Sequence, residues 1–573
     1  MQISFLKQIR YIGKYVRPHK KVLIFSFLLS GFSTALGMIQ PYFAKIFIDK
    51  VFLADNSRLL TPLLLALVSL LVFSFIIRVI NSYIYTRYSA GILFSMREDL
   101  FMHLQKVPLS FFAKKKIGDI YSRIASDMAD IQGLVTETIP HYIFNFLTCI
   151  TTAAILFWLN WKMALLSLCF LPIALRIIFM IRPKLLTLAN DVAQSNADIA
   201  HFLFESLSST SLVRAFGAEQ SECEKLNQKQ SRILNYLLKY QILGAFSGSV
   251  PMMFLLINTL VVFGYGGFMV LEGQLSIGSL VAFSIYQGRV FGPLQGLMDG
   301  FLAMQKSKVS LRRVREILDI EPAYSNNGGS QVLKDEMFRG EIAFERISFA
   351  YAEGEPVLKD LTFQIPAGKI TALIGPSGSG KTTICHLLMK LFDPDSGKIT
   401  LDGIDLRDFK TDWLRKQIAL VSQDIFLFHT SILRNIRFSN PGADDKEVEE
   451  AAKAACIHDF IQSLPEGYHT VVGDRGVRLS GGQKQRISIA RSILLKPKIL
   501  LLDEATAFLD TSVEKLLKKT IQALMKDKTI ILVSHRLSTI QNADKIIACT
   551  NEGLVYEGPA EDFINGTEYR YYR

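Results

Sequence analysis

Apolar and polar positions fall into two regimes along this chain. Up to about residue 300, long uncharged runs alternate with long charged stretches of helical period; beyond about residue 340 the apolar runs are short and strand-like. Residues 22–44 and 59–77 carry no charge, and at about 1.5 Å per helical residue each covers the roughly 30 Å hydrocarbon layer of a bilayer. A third span is expected over about 138–161, and after a tight turn at 160–162 a fourth returns toward Lys184. The uncharged run 241–271 would be roughly 46 Å long as a helix, so this fifth span should continue beyond the bilayer. Glu272 and Gly273 then form a short outer loop before a sixth span over about 275–306. The stretch 78–137 (with Arg97, Lys106, the lysine triplet 114–116 and Arg123) is basic, and the stretch after the fourth span, up to Lys239, is long, charged and helical in period. That places them, and both termini, in the cytosol. The pattern predicts an all-α domain of six transmembrane helices over 22–320, preceded by a basic amphipathic interfacial helix at 1–21. A linker follows at 321–340, containing the loop SNNGGS at 325–330.

Two arginines interrupt these spans. Arg176 lies in the fourth and Arg289 in the sixth, and an arginine at the bilayer centre costs roughly 2.5–3.5 kcal/mol on insertion scales. Either both snorkel to the headgroups or pair within the bundle with a group such as Asp299, or they line a cavity for a substrate with an anionic or strongly polar part.

The second regime, 341–573, predicts an α/β domain. Its centre is GPSGSGKTT at 375–383, directly after the apolar run 370–374. Gly, four residues, Gly-Lys-Thr between a strand and a helix is the spacing of a phosphate-binding loop. Gly375, Gly378 and Gly380 allow backbone amides to point at an anion, Ser377 and Thr383 belong to the same cradle, and the following helix presents its positive end. Lys381 would reach the β and γ phosphates, and Thr382 would give its hydroxyl to magnesium. The alternative, a Gly/Ser turn ending a strand, loses ground as partners accumulate. Residues 499–502 are apolar and precede Asp503 and Glu504, a buried parallel strand delivering two carboxylates at its carboxyl end. Asp503 would hold magnesium through water, and Glu504 would polarise an attacking water. His535 closes another apolar strand at 530–533, within reach of a γ-phosphate; taken alone it reads as a polar strand-end residue. Tyr351 could stack on an adenine or be an ordinary edge-strand tyrosine. Finally, LSGGQKQR at 479–486 places Ser480, Gly481 and Gly482 at a second anion-binding helix start. One nucleotide needs only one such loop in cis.

Composition refines this picture slightly. The net charge of +12 fits inner loops and anionic headgroups better than nucleic acid in a chain with membrane spans. The six cysteines, Cys149, Cys169, Cys223, Cys385, Cys456 and Cys549, form no CxxC and have no histidines at metal spacing, so they read as reduced thiols. Residues 1–21 lack the apolar core and cleavage site of a signal peptide.

With LSGGQ between the phosphate loop and the Asp503–Glu504 pair, the sequence resembles an ATP-binding cassette exporter, specifically a half-transporter with its membrane domain fused ahead of its nucleotide domain. The resemblance covers nearly the whole chain. It implies that 375–383 is the Walker A loop, 499–503 Walker B, Glu504 the catalytic base, and Gln423 of VSQD the Q-loop glutamine near magnesium. It further implies that His535 is the switch histidine, Tyr351 the adenine-stacking residue and Asp510 the D-loop aspartate. Contact helices are implied at 112–120 and 209–218, and GDRGV at 473–477 resembles the segment before the signature. The D-loop departs from the family pattern, with Ala507 and Phe508 where Ser and Ala are commoner. The family's architecture implies head-to-tail pairing with a second half-transporter, an identical chain being expected, so that Ser480 and Gly482 cover ATP and magnesium held by the other subunit. The expected activity is ATP-driven export or flipping of an amphipathic lipid, lipopeptide, peptide or drug across a bacterial cytoplasmic membrane; an ATP-gated channel or regulator is the alternative.

Overall fold

The structure is a computed structural model that describes residues 12–115, 117–322, 329–334, 336–351, 356–504, 528–534, 541, 543–550 and 553–565. The chain divides into two compact units, Met1–Phe101 with Tyr121–Leu318, and Met102–Ile120 with Asp319–Arg573.

The first unit is helical. Its long elements are α1 (Lys20–Ile46), α2 (Leu60–Leu104), α3 (Ile139–Leu159), α4 (Leu171–Ser208), α5 (Glu219–Leu271) and α6 (Ile277–Leu318). The uncharged runs lie inside these helices, and α5 continues unbroken through the charged residues before its apolar part, as the run length requires. Asn160 turns the chain between α3 and α4 by accepting a 3.0 Å hydrogen bond from the Met163 amide, which caps the short helix Trp161–Leu168. Among the described residues, five helical stretches are long and apolar enough to cross a membrane: Ile12–Phe52, Ser57–Leu104, Ile117–Leu159, Trp161–Ser208 and Glu219–Leu271. The sixth expected span, α6, matches them in length but is more polar. The reason is burial: α6 encloses Ala282, Phe283, Tyr286 and Gln287 within the bundle, so its polar groups meet protein rather than lipid. Its Tyr286 hydroxyl donates to the Met38 carbonyl at 2.5 Å, and Asp49 accepts from the Ser276 hydroxyl at 2.6 Å and the Gly278 amide at 2.8 Å. Leu156, Met163, Val262, Leu280 and Phe283 form the apolar centre, whereas Leu65, Phe75, Leu260 and Phe268 are exposed, as lipid-facing side chains would be.

The second unit carries the α/β fold. Strands β1 (Ile342–Phe349), β2 (Leu358–Ile365), β3 (Ile370–Ile374), β4 (Ser396–Leu401), β5 (Ile404–Asp405), β6 (Ile418–Val421), β7 (Ile499–Asp503), β8 (Thr529–Val533), β9 (Lys545–Thr550) and β10 (Gly553–Pro559) form two sheets. The smaller is ordered β2-β1-β4-β5, and the larger β10-β9-β3-β8-β7-β6. In the larger sheet β9, β3, β8, β7 and β6 are parallel, with antiparallel β10 at the edge. Alternate side chains of one strand go to opposite faces, and β7 shows it directly. Ile499 and Leu501 join a core with Phe344, Phe363, Ile384 and Cys385; Leu500 and Leu502 join another with Ile436, Val448, Ile487 and Ala490. Helices α7 (Lys381–Leu388) and α8 (Gly481–Leu494) are therefore seated on opposite faces of the same sheet.

Candidate active site

Register brings the candidate site residues together. Leu373 on β3 and Asp503 on β7 both pair with Val533 of β8, so the carboxyl ends of the three strands are level, which is where a parallel sheet opens its crevice. The loop leaving β3 lies tightly against β9. A Cβ on Gly375 would lie 2.1 Å from the Cys549 carbonyl oxygen, and Gly380 adopts φ of +86° as it starts α7. Gly378 shares the left-handed conformation, and Ser377 is exposed beside it. A Gly375→Ala variant is expected to lose about 1–3 kcal/mol of stability, because the obstructing atom is backbone and cannot rotate away. Chemical unfolding checks this, and an unchanged midpoint would show that the loop relaxes freely.

Lys381 is buried, and its ammonium donates to the Gly375 and Pro376 carbonyls at 2.9 and 2.8 Å. Burial lowers its pKa, while the charges of Glu504 and Asp503 oppose that shift. Thr382 donates its hydroxyl to Asp503 Oδ2 at 2.8 Å. Asp503 is 2% exposed, and burial raises its pKa; the Thr382 bond works against this and the Glu504 charge adds to it. Glu504 leaves β7 with φ of +48°, an uncommon conformation for a side chain of its size. The turn is held because its amide donates to the Val533 carbonyl at 3.0 Å. Its carboxylate accepts from Gln423 Nε2 at 2.7 Å.

Tyr351 stands over α7, its hydroxyl 2.9 Å from Thr383 Oγ1 and 3.3 Å from His386 Nδ1, and its ring is edge-on to Phe349 and Phe392. On the other face of the sheet, Ser480 caps α8. Its hydroxyl accepts from the Gln483 amide at 3.3 Å, and the Gln483 side chain accepts from the Ser480 amide at 2.8 Å. Ser480 is exposed, and Gly482 partly so. The sheet thus assembles Lys381, Thr382, Asp503, Glu504, Gln423 and Tyr351 around one crevice and leaves Ser480 and Gly482 on a separately packed helix. His535 and Asp510, with Ala507 and Phe508, lie outside the described residues.

Known proteins share this organisation. Residues 23–294 match the ABC transporter transmembrane region, and residues 358–507 match the ABC transporter domain. Proteins of Staphylococcus aureus strains COL and MSSA476, named for multidrug export as ATP-binding/permease proteins, are 34% identical over 97% of this chain and 97% of their own length. The chain belongs to the ABC transporter family. The solved structure of a bacterial Atm1-family ABC exporter with ATP bound superposes with a TM-score of 0.82 at 26% identity, covering 97% of both chains. The protein is an ABC exporter half-transporter, an integral membrane protein whose cassette binds ATP and couples its hydrolysis to transport.

The exporter's sequence pattern left several residues unnoticed. Gln485, 2% exposed on α8, donates to the Glu504 carbonyl at 3.3 Å; its place two residues after Gln483 was the available signal. Arg491, also on α8, donates to the Asn435 carbonyl at 2.9 Å and the Phe426 carbonyl at 3.2 Å, and burial lowers its pKa to about 10. In the membrane unit, Arg289 donates to the Gly37 carbonyl, and to Gln40 Oε1 at 2.8 Å, so it is bound within the bundle to α1 rather than to Asp299. It also borders a shallow cavity with Gln40 and Ile285. Arg176 is exposed and does not line the larger cavity of about 460 Å³ between α4, α5 and α6, where Arg182, Tyr240, Gln295 and Asp299 do.

Proposed function

We propose that two copies of this chain form a head-to-tail dimer that exports an amphipathic molecule (a lipid, lipopeptide, peptide or drug) across a bacterial cytoplasmic membrane, with both termini cytosolic. The carrying observation is the split of the cassette. The hydrolytic groups meet in one crevice through the Thr382–Asp503 and Gln423–Glu504 hydrogen bonds of 2.8 and 2.7 Å, whereas Ser480 begins a helix built into the opposite core. A second chain supplies the missing Ser480 and Gly482. Contacts available only in the closed pair let nucleotide shift the equilibrium toward closure.

Within the crevice, Lys381 would bind the β and γ phosphates and Tyr351 would support the adenine. The loop amides of Gly375, Ser377, Gly378, Gly380 and Thr383 would cradle the remaining phosphate oxygens. Thr382 and Asp503 offer a hydroxyl and a carboxylate side by side, the hard oxygen donors that magnesium takes, with Gln423 close by. Bound there, the ion would neutralise charge on the phosphate oxygens. Glu504 would accept the proton of the attacking water, with Gln423 fixing its carboxylate and the Val533 and Gln485 bonds fixing its backbone. His535 would act on the γ-phosphate and Asp510 across the dimer.

The test is transport. In inside-out vesicles, purified exporter should accumulate a fluorescent amphiphile only with ATP, and chelating divalent cations should stop it. Turnover of ATP without movement of any lipid, peptide or drug in the set would overturn the reading.

A further inference from the structure

The cavity between α4, α5 and α6 combines features that the transport reading does not itself require. Each helix carries an internal proline near it: Pro183, Pro251 and Pro293. A proline removes a helical donor, and the cavity beside these three, of about 460 Å³, is within the ordinary range of small-ligand sites. Pro251 also leaves the Ser247 carbonyl without its helical N–H partner, and Ser247 is among the lining residues. Leu185, Phe291 and Leu294 supply an apolar wall.

Charge decides what fits. Arg182 and Asp299 line the same cavity, yet among the described residues they form no ion pair with each other. Arg182 donates to the Met298 carbonyl at 2.6 Å, which leaves its other N–H groups for the cavity, and Asp299 has no hydrogen bond or ion pair among the described residues. A purely anionic guest would desolvate Asp299 without compensation, and a purely cationic one would do the same to Arg182; an unpaired desolvated charge is costly. A guest bearing both signs avoids both penalties. Depth agrees, given the transport reading's orientation on which this rests. At about 1.5 Å per residue, Asp299 lies roughly 33 Å along α6 from Ile277, and Arg182 roughly 32 Å beyond Trp161, at the cytosolic boundary of the hydrocarbon layer.

We infer that this cavity is a recognition site for a zwitterionic head carried on an apolar tail, with Arg182 receiving the anionic group and Asp299 the cationic one. Arg182 is placed to form a forked hydrogen-bonded pair with a phosphate or carboxylate, and the Leu185–Phe291–Leu294 wall takes the first methylenes.

Binding of hexyl-chain phosphocholine, hexyl phosphate and hexyltrimethylammonium to full-length exporter in nanodiscs, measured by calorimetry without nucleotide, tests this separately from transport. The phosphocholine is expected to bind at least about tenfold more tightly than either singly charged probe, a gap of about 1.4 kcal/mol. Arg182→Gln should move the preference toward the cation and Asp299→Asn toward the anion, while Arg182→Lys and Asp299→Glu retain the wild-type order. Lysophosphatidylcholine in the disc and tail-free phosphocholine in solution distinguish a lipid source from a free zwitterion. Equal affinities in the wild type, or parallel weakening of all three probes in both charge-removing variants, would overturn the inference. Export activity can succeed or fail independently of either result.

Discussion

Glu504→Gln is expected to lower steady-state ATP hydrolysis by about 10²–10⁴-fold, the range a positioned general base contributes, while ATP affinity changes little. The geometry gives the reason. Glu504 is held at φ of +48° by its amide bond to Val533, and its carboxylate faces Gln423 at 2.7 Å. A glutamine keeps an oxygen for the Gln423 amide and the same backbone bonds, but it cannot take the proton of water. Lys381 and the loop glycines are untouched, so nucleotide should bind and trap the closed dimer. Phosphate release and equilibrium ATP binding, measured on the same preparation, separate the two properties. Hydrolysis near the wild-type rate would move the base to another residue.

The second large effect concerns the division of labour between chains. Lys381→Ala should empty the phosphate loop, and Ser480→Arg should block α8's exposed cap; as separate preparations, each should be nearly inactive. Co-assembled at equal amounts, about half of the dimers would pair one variant with the other, each restoring one intact site, so roughly a quarter of the wild-type sites should return under head-to-tail pairing. If Ser480 served the phosphate loop of its own chain, mixing would restore nothing. Subunits carrying different affinity tags allow the mixed dimers to be isolated and their ATPase measured.

Much of this was legible from local pattern because the relevant physics is local. The loop at 375–383 takes positive φ at Gly375, Gly378 and Gly380, a conformation that the residue type itself announces, and an uncharged run such as 59–77 has few homes other than lipid. The expected sixth span differs from the others: α6 carries Gln287 and Arg289 and is not among the five stretches apolar enough to cross a membrane, while residues such as Phe283, Tyr286 and Gln287 are buried within the bundle. Likewise, Arg176 and Arg289 were conspicuous as charges in apolar runs, yet conspicuousness does not give direction. Arg289 is bound to Gly37 and Gln40, whereas Arg182 reaches the cavity from a stretch in which a basic residue aroused no interest. Gln485 was hidden in a helix whose preceding residues already had a role.

The sequence by itself determined the family, the order of membrane half and cassette, and the residue types offered to a phosphate, because spacing on one strand–loop–helix fixes which groups can face one anion. Tertiary structure decided which residues share a crevice. Parallel register put Asp503 and Thr382 2.8 Å apart, though they are far apart in sequence, and the alternation of side chains along β7 sent α7 and α8 to opposite faces of the sheet. Pairing across a sheet is a non-local choice, fixed by the burial of whole faces, and no window of sequence contains it.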